Sequence, residues 1–515
     1  MSDRQNVQKT AGLLGLLTLT SRLLGFVRDV LIAWLFGAGF LSDAFFVAFR
    51  IPNFLRRLFA EGSLSAPFVS VFTEIMIKKN RGEAVLFAGS AFRFLSIFLT
   101  LAVLAGIAAA PAIASLLAPG FLASAEKMSL TVLLIRIMVP YVFFVGMLAV
   151  GMGVLNALGQ FAAPALAPVL LNVSMIASML WIAPQMSAPI TGLAVGVVAG
   201  GVLQLALQVP FLIKGGIRFH GRRAIYHPGI KKAMLLMPPM IFGSAVYQVN
   251  VFIGTFLASF LSEGSVSFLY YADRLVQFPL GIFAVAVSTA ILPVLSRQAM
   301  NSDRSAVGKT FSNALKMVFF IALPSMAGLI VLRTPIIHLL FLKGRFDAEA
   351  AQFTADAVLY YGLGIWAFSG VRVLISAFYA VEDTGTPVRT AVFAVLLNFF
   401  LGILLMMPMG VGGLALAASV ASMVQFGLLV RRIGPKIGPI DVGSMAISAG
   451  KTIVCTAVMA TTVHFLAKHL ISAGSGHGLS LHWGVGVCIL AGVTVYGTCS
   501  CLVRHPEIKM VAKRS

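Results

Sequence analysis

The chain has 515 residues, of which 59% are hydrophobic and 11% charged, with a net charge of +21 and a mean hydropathy of +0.97. A soluble globular protein carries about 25% charged residues, so this composition excludes a soluble domain and indicates a polytopic membrane protein. The positive charge does not indicate nucleic-acid binding, because the basic residues lie mainly in short loops between apolar segments.

Apolar segments long enough to cross a bilayer core recur along the whole chain. Such a core is about 30 Å thick and needs about 20 residues of helix. We therefore predict an all-α polytopic membrane protein with about fourteen transmembrane helices. The predicted helices begin near Gly12, Ser42, Ala84, Ser129, Ala163, Pro189, Ile230, Ser267, Gly308, Gln352, Thr386, Gly412, Ala446 and Leu481.

The ends of these segments predict the orientation of the chain. Arg4 and Lys9 precede the first apolar run as in a signal peptide, but Arg22 and Arg28 interrupt that run, so we predict a retained helix. With the N terminus inside, most basic loop residues are cytoplasmic, and the opposite loops hold few, such as Lys127. This positive-inside distribution predicts that both termini are cytoplasmic.

The first two predicted helices contain far more charge than lipid tolerates. The charged residues are Arg22, Arg28, Asp29, Asp43, Arg50, Arg56, Arg57 and Glu61. One arginine at the bilayer centre costs roughly 2.5 to 3.5 kcal/mol, so several would cost on the order of 10 kcal/mol if they faced acyl chains. These side chains must therefore face water, one another or an anion.

The arginines are expected at several depths. Arg22 and Arg28 lie about 15 and 24 Å from the cytoplasmic start of the first helix, and Arg56 lies about 21 Å from the opposite face. Arg274, in the eighth helix, is near the external side. A straight second helix would direct Arg57 inward, whereas a kink at Pro52 would direct Arg56 there instead.

Arginine presents a planar, permanently charged fork that suits phosphate oxygens, so the predicted substrate is anionic and carries phosphate. The alternative is that Asp29, Asp43, Glu61 and Asp273 neutralise the arginines and only hold helices together. Isolated charges elsewhere are interpreted as helix ties or snorkelling side chains. These residues are Arg93, Arg136, Lys316 and Arg372.

Signals for catalysis and metal binding are absent from the sequence. There is no P-loop, no His-Glu-x-x-His motif and no nucleophile elbow. The four cysteines lie in the last two apolar helices without zinc-ligand spacing, and we interpret them as small packing residues. We therefore predict a transporter and not an enzyme, with no cofactor and no metal.

The two halves of the chain resemble each other. The run from Gly192 to Leu207 matches the run from Gly413 to Leu428, and Asn172 corresponds approximately to Asn398. Each repeat holds six helices, an even number, so both have the same orientation and are expected to enclose a substrate between two lobes. The predicted domains are residues 1-225, residues 226-440 and an extra helix pair at residues 441-515.

Four segments carry a resemblance to a known family. They are SRLLGFVRD from Ser21, FGAG from Phe36, SDAFFVAFRIPNFLRRLFAEG from Ser42 and SVSFLYYADRLVQFPLG from Ser265. They resemble the signature segments of the MurJ (MviN) lipid II flippases, in the multidrug/oligosaccharidyl-lipid/polysaccharide (MOP) exporter superfamily. The resemblance implies movement of lipid II, the undecaprenyl-diphosphate-linked disaccharide-pentapeptide, from the inner to the outer leaflet of the bacterial cytoplasmic membrane for peptidoglycan synthesis.

The resemblance also implies roles for particular residues. Substrate binding is implied for Arg22, Arg28, Arg56 and Arg274, and gating or charge pairing for Asp29, Asp43, Glu61 and Asp273. Lipid II and membrane lipids are the implied partners, nucleic acid is not, and partners among cell-wall synthesis proteins are left open. The last two helices are implied to form a groove for the polyprenyl tail, and the implied mechanism is alternating access.

Some alternatives remain at this point. Some relatives bind sodium through carboxylates, whereas the corresponding segments here offer Gln248, Asn250 and Asn398, so the coupling ion or membrane potential is left open. The nearest alternative function is a flippase for another polyprenyl-diphosphate-linked oligosaccharide. A drug or cation antiporter of the same fold is disfavoured by the surplus of arginine, and a voltage-gated channel by the absence of a sustained arginine repeat.

Overall fold

The computed structural model describes residues 2–58, 65–217, 227–301, 303–471 and 480–508. Within these ranges every regular element is a helix. The first ten α-helices are α1 (Ser2–Phe36), α2 (Phe40–Leu58), α3 (Ser65–Lys78), α4 (Arg81–Ala108), α5 (Ala110–Leu117), α6 (Ala125–Met138), α7 (Tyr141–Ala157), α8 (Ala162–Ala177), α9 (Pro189–Lys214) and α10 (Pro228–Ala258).

The remaining nine α-helices follow the same pattern of apolar runs joined by short connections. They are α11 (Ser265–Pro279), α12 (Val285–Met300), α13 (Arg304–Val331), α14 (Arg333–Leu340), α15 (Ala348–Gly362), α16 (Ile365–Ala380), α17 (Gly385–Ile437), α18 (Val442–Ile471) and α19 (Leu481–Leu502). Each predicted span begins within one of these helices or within two residues of one.

Contacts divide the chain into two compact units, Met1–Val266 and Ser267–Ser515. The first has an aromatic core in which the rings of Phe68 and Phe87 stack at 4.8 Å. The second has a core that includes Phe311 and Phe378. Helix α10 packs on α2, α3, α4 and α5 and so belongs to the first unit. The predicted boundary after residue 225 concerns sequence duplication, which contacts do not measure, and it stays a prediction.

Eight helical segments in the described ranges are long and apolar enough to cross a membrane, and a ninth is the pair α15 and α16, bent by 45°. The eight are Arg81–Ala108, Ala125–Ala157, Ala162–Gln185, Pro189–Lys214, Arg304–Val331, Gly385–Ile437, Val442–Ile471 and Leu481–Leu502. The multi-pass architecture predicted from the sequence is confirmed. The count of fourteen spans stays a prediction.

Helix α17 contains two of the predicted spans. Its 53 residues would extend for about 80 Å if straight, more than twice the thickness of a bilayer core. The backbone leaves helical geometry at Gly410, where φ is +55° and ψ is −130°. Beyond this break the chain returns, because Nζ of Lys436 lies 2.6 Å from Oδ2 of Asp383, so the two ends of α17 meet.

The last two helices pack on each other and on α13. Nζ of Lys316 donates a hydrogen bond of 2.5 Å to Oγ of Ser444, which joins α13 to the start of α18 as expected for a helix tie. Cys455 and Cys488 are fully buried, whereas Cys501 is exposed. After α19 the chain turns back and buries His505 and Glu507.

Candidate functional site

Helix α1 buries one arginine and its neighbouring carboxylate. Arg28 exposes 5% of its surface and Asp29 none, whereas Arg22 is exposed. Nε and Nη2 of Arg28 donate to one oxygen, Oδ1 of Asp29, at 3.0 and 2.6 Å. Of the two readings, internal neutralisation therefore applies to this pair, since the carboxylate lies against the guanidinium.

Asn172, on α8, completes this cluster. Nη1 of Arg28 donates to Oδ1 of Asn172 at 3.0 Å and contacts Sδ of Met175 at 3.8 Å. The other end of the amide, Nδ2 of Asn172, donates to the carbonyl oxygen of Ser21 at 3.0 Å. The amide lies against Gly25, where a Cβ atom would stand 3.5 Å from Nδ2. One amide thus contacts three successive turns of α1.

Asp43, at the start of α2, has a different partner from those the sequence suggested. Its Oδ2 lies 2.8 Å from Nζ of Lys127 and accepts a second hydrogen bond of 2.8 Å from the main-chain amide of Gly264. Nζ of Lys127 also lies 4.3 Å from the ring centre of Phe121. The carboxylate therefore joins α2, α6 and the segment before α11, and it pairs with a lysine that the sequence placed in a loop.

The segment before α11 is held to the first unit by two more contacts. Oε1 of Glu263 accepts a hydrogen bond of 2.7 Å from the amide of Phe40. Oγ of Ser259 accepts one of 3.1 Å from the amide of Gly120. These bonds surround the Asp43 carboxylate and fix this end of the unit.

Arg56 and Arg57 are both half-buried in the last turn of α2. Arg56 bonds to the Asn53 side chain one turn earlier, with Nη2 and Nε at 3.1 and 3.4 Å from Oδ1. Its charge also acts on the buried hydroxyl of Tyr141, at the start of α7. Helix α2 runs continuously through Pro52, so the choice of Arg56 over Arg57 stays a prediction.

In the second unit, Arg274 lies half-buried on α11. Its Nη2 donates to the hydroxyl of Tyr270 at 3.2 Å, and its guanidinium carbon lies 5.5 Å from the centre of the same ring. The adjacent Asp273 is exposed and accepts a hydrogen bond of 3.4 Å from Gln277. Both predicted site residues of this helix thus contact a side chain one turn away.

The structure brings together some of the predicted residues and adds others. Arg28 and Asp29 form one cluster with Asn172, and Asp43 forms another with Lys127. Glu61, the remaining predicted acid, lies outside the described residues. The sequence gave no direct signal for Asn172 or Lys127 as partners, because each lies far along the chain from the residue that it contacts.

No group of three or more His, Cys, Asp or Glu side chains suited to a metal ion occurs among the described residues. Asn398, where some relatives were expected to contribute to sodium binding, is buried on α17. The candidate site therefore consists of arginines, their carboxylate partners and neutral hydrogen-bonding side chains.

Comparisons with known proteins agree on one family. The family model "Lipid II flippase MurJ" matches residues 32–480. The chain is 38% identical over 430 residues to a probable lipid II flippase MurJ of Vibrio cholerae, with 82% of each chain covered. It is 34% identical to a probable lipid II flippase MurJ of Bdellovibrio bacteriovorus, which covers 100% of this chain and 98% of the relative.

Solved structures show the same fold. A structure described as lipid II flippase MurJ in an inward closed conformation matches with a TM-score of 0.82 and 28% identity, covering 96% of this chain and 99% of that one. An inward-facing multidrug resistance MATE family transporter of the MOP superfamily matches with a TM-score of 0.66 and 16% identity, covering 80% of this chain and 94% of that one. The second likeness concerns the fold alone.

Proposed function

This chain belongs to the MurJ family of lipid II flippases, and from that premise we propose that Arg22, Arg28, Arg56 and Arg274 receive the diphosphate of lipid II. The protein is a transporter and not an enzyme, and it moves lipid II across the bacterial inner membrane for peptidoglycan synthesis. The residue roles and the steps below are our proposal.

The observation that carries this proposal is the placement of arginines on apolar helices beside oriented hydrogen-bond partners. Arg28 lies on Asp29 and Asn172, Arg56 on Asn53 and Arg274 on Tyr270. Partners of this kind hold a guanidinium in one orientation, so less side-chain entropy is lost when an anion binds. A diphosphate offers several oxygens to such planar forks, and the bonds are charge-assisted.

Binding must be reversible for transport to occur. Arginines that bound the diphosphate equally well in every state would retain it, so the affinity has to differ between the inward-open and outward-open states. Asp29 supplies a means, because its carboxylate competes with the diphosphate for Arg28 at 2.6 Å. We propose that Asp29 reclaims Arg28 as the substrate leaves, while Glu61 and Asp273 act as charge partners elsewhere.

We assign Asp43 to gating. With Lys127 and the Gly264 amide it forms a buried connection between α2, α6 and the segment before α11. Under the proposed orientation, with both termini cytoplasmic, this connection lies at the external end of the first unit. It would hold that end closed while the substrate is loaded from the cytoplasmic side, as alternating access requires.

Further parts of the proposal rest on the resemblance alone. The helix pair α18 and α19 would accommodate the polyprenyl tail, and proteins of cell-wall synthesis would use the exported substrate nearby. The domain division at residues 225 and 440 also belongs to this proposal. The energy source is either an ion or the membrane potential.

Complementation tests the substrate and the site together. In a bacterium depleted of its own lipid II flippase, the natural chain should restore lipid II at the outer face, and Arg56→Ala at equal expression should not. Arg56→Lys keeps the charge but loses the fork, so it should also be impaired. Arg57→Lys, on the same turn and equally half-buried, is the matched control and should be active.

Two outcomes would contradict the proposal in different ways. Full activity of both Arg56 variants would refute its assignment as a diphosphate ligand. An inserted natural chain that exposes no lipid II would contradict the substrate, and other polyprenyl-diphosphate-linked oligosaccharides would then be assayed.

A further inference from the structure

Asn172 has a contact pattern that structural packing alone does not require. It is 7% exposed and lies on α8, a helix whose other polar side chains point elsewhere; Ser174, for example, donates to the carbonyl oxygen of Gly196 on α9 at 2.9 Å. Asn172 instead directs its carboxamide at α1, accepting from Arg28 at one end and donating to Ser21 at the other. Both ends of the amide are therefore oriented by α1.

We propose that Asn172 is a positioning residue for Arg28: it holds one edge of the guanidinium without cancelling its charge. This inference rests on the proposed role of Arg28 in binding the diphosphate. Asn172 itself is not assigned a contact with the substrate.

The choice of a neutral acceptor has a physical reason. Asp29 already places one negative charge against Nε and Nη2 of Arg28. A second carboxylate at the Nη1 edge would give this cluster a net negative charge and repel a diphosphate, whereas an amide orients Nη1 and leaves the charge balance unchanged. The amide is itself fixed by the Ser21 carbonyl, so its oxygen stays directed at Arg28.

Without the amide, Arg28 would lose the acceptor on its Nη1 edge. The guanidinium would then turn fully onto Asp29, its remaining charged partner in the cluster, because the fork geometry of arginine favours a bidentate carboxylate contact. An arginine engaged in this way gains less from a diphosphate. Loss of Asn172 should therefore weaken lipid II binding through Arg28.

The test is a double-mutant cycle on the full-length purified protein with lipid II as the ligand. Asn172→Ala should raise the Kd for lipid II about tenfold, which corresponds to about 1.4 kcal/mol. In the Arg28→Ala background the same substitution should change the Kd by less than about twofold, because the group that Asn172 orients is already gone. Thermal unfolding of each variant without lipid II measures structural loss separately.

Two further variants sharpen the comparison. Asn172→Asp preserves size and the acceptor but adds a charge, so it should weaken binding more than Asn172→Ala. Ser174→Ala removes a buried hydrogen bond from the same helix without touching Arg28, and it should leave the Kd unchanged. If Asn172→Ala does not fold, Asn172→Ser replaces it in the cycle.

The outcomes separate this inference from the proposed function. An equal loss of affinity in both backgrounds, or an unchanged or tighter Kd for Asn172→Ala, would overturn the positioning role while Arg28 could still be a ligand. An unchanged Kd for Arg28→Ala alone would refute the binding role of Arg28, and the positioning role with it.

Discussion

Lys127 and Asp43 stand 84 residues apart in the chain and meet in a buried ion pair of 2.8 Å. The lysine side chain is 9% exposed and that of the aspartate 2%. Removing one partner of such a pair leaves an uncompensated buried charge, which costs far more than an exposed pair contributes. Lys127 therefore becomes essential to the first unit as soon as Asp43 is buried.

We expect Lys127→Met to destabilise the purified protein by about 3 kcal/mol, because the Asp43 carboxylate stays buried without its cation. The double variant Lys127→Met with Asp43→Asn should recover part of this loss. Thermal unfolding in detergent measures both effects. Lys78→Met serves as the control, since Lys78 pairs with Glu74 at the surface, and a loss there as large as that of Lys127→Met would argue against burial as the cause.

The connection between the two ends of α17 should depend on pH. Burial alone would raise the pKa of Asp383, but the hydrogen bonds from Lys436 and Thr386 outweigh it and lower the pKa from 3.8 to about 2. Because the pKa is lower in the folded protein, the stabilisation is present above pH 3.8 and is lost as the pH falls toward 2.

Asp383→Asn should therefore cost about 1 kcal/mol at pH 7, a value reduced for solvent screening of the partly exposed pair. The difference from the natural protein should disappear on acidification below pH 3. Unfolding midpoints measured between pH 7 and pH 2.5 check this. A difference that stays constant over that range would show that the Asp383 charge is not responsible.

The turn after α19 should hold the last helix in place. Oε1 of Glu507 accepts from Oγ of Ser448 at 3.0 Å, its Oε2 lies 2.6 Å from Nδ1 of His505, and the His505 ring packs 4.7 Å from that of Phe320. Glu507→Ala would leave buried polar groups without partners, which costs about 1 to 3 kcal/mol for each. We expect faster proteolysis near residue 505 and a lower unfolding temperature.

Arg504 provides the control for that experiment. It adopts a φ of +51°, a left-handed conformation that favours glycine, so Arg504→Gly should keep the turn intact. If Glu507→Ala and Arg504→Gly were cleaved at the same rate, the Glu507 contacts would not be what secures the turn.

Gly120 should tolerate no larger residue. A Cβ atom there would stand 2.0 Å from the carbonyl oxygen of Ser259, which is main chain and cannot rotate away. Gly120→Ala should destabilise the first unit by about 2 kcal/mol or more, as overpacking does. Gly254→Ala is the matched control because nothing lies within 4 Å of its Cβ position, and a similar loss from both would refute the steric cause.

The sequence by itself determined the class of protein, the helices and the family. Apolar runs and their flanking charges are local properties, so they predicted separate spans near Thr386 and Gly412, on either side of the break at Gly410. The signature segments around Ser21 and Ser42 indicated the family that the comparisons then showed. Helical spacing also grouped the charged residues of α1 and α2 but left Arg56 and Arg57 undecided.

Only the tertiary structure decided which partner each charge has. Arg28 meets Asn172 across 144 residues, and Asp43 meets Lys127 across 84. Neither partner carries a local signal, because an asparagine on an apolar helix and a lysine near a loop have many ordinary uses. Ion pairs and amide contacts depend on distances of about 3 Å, and such distances are set by how whole helices pack, not by the spacing of residues along any one of them.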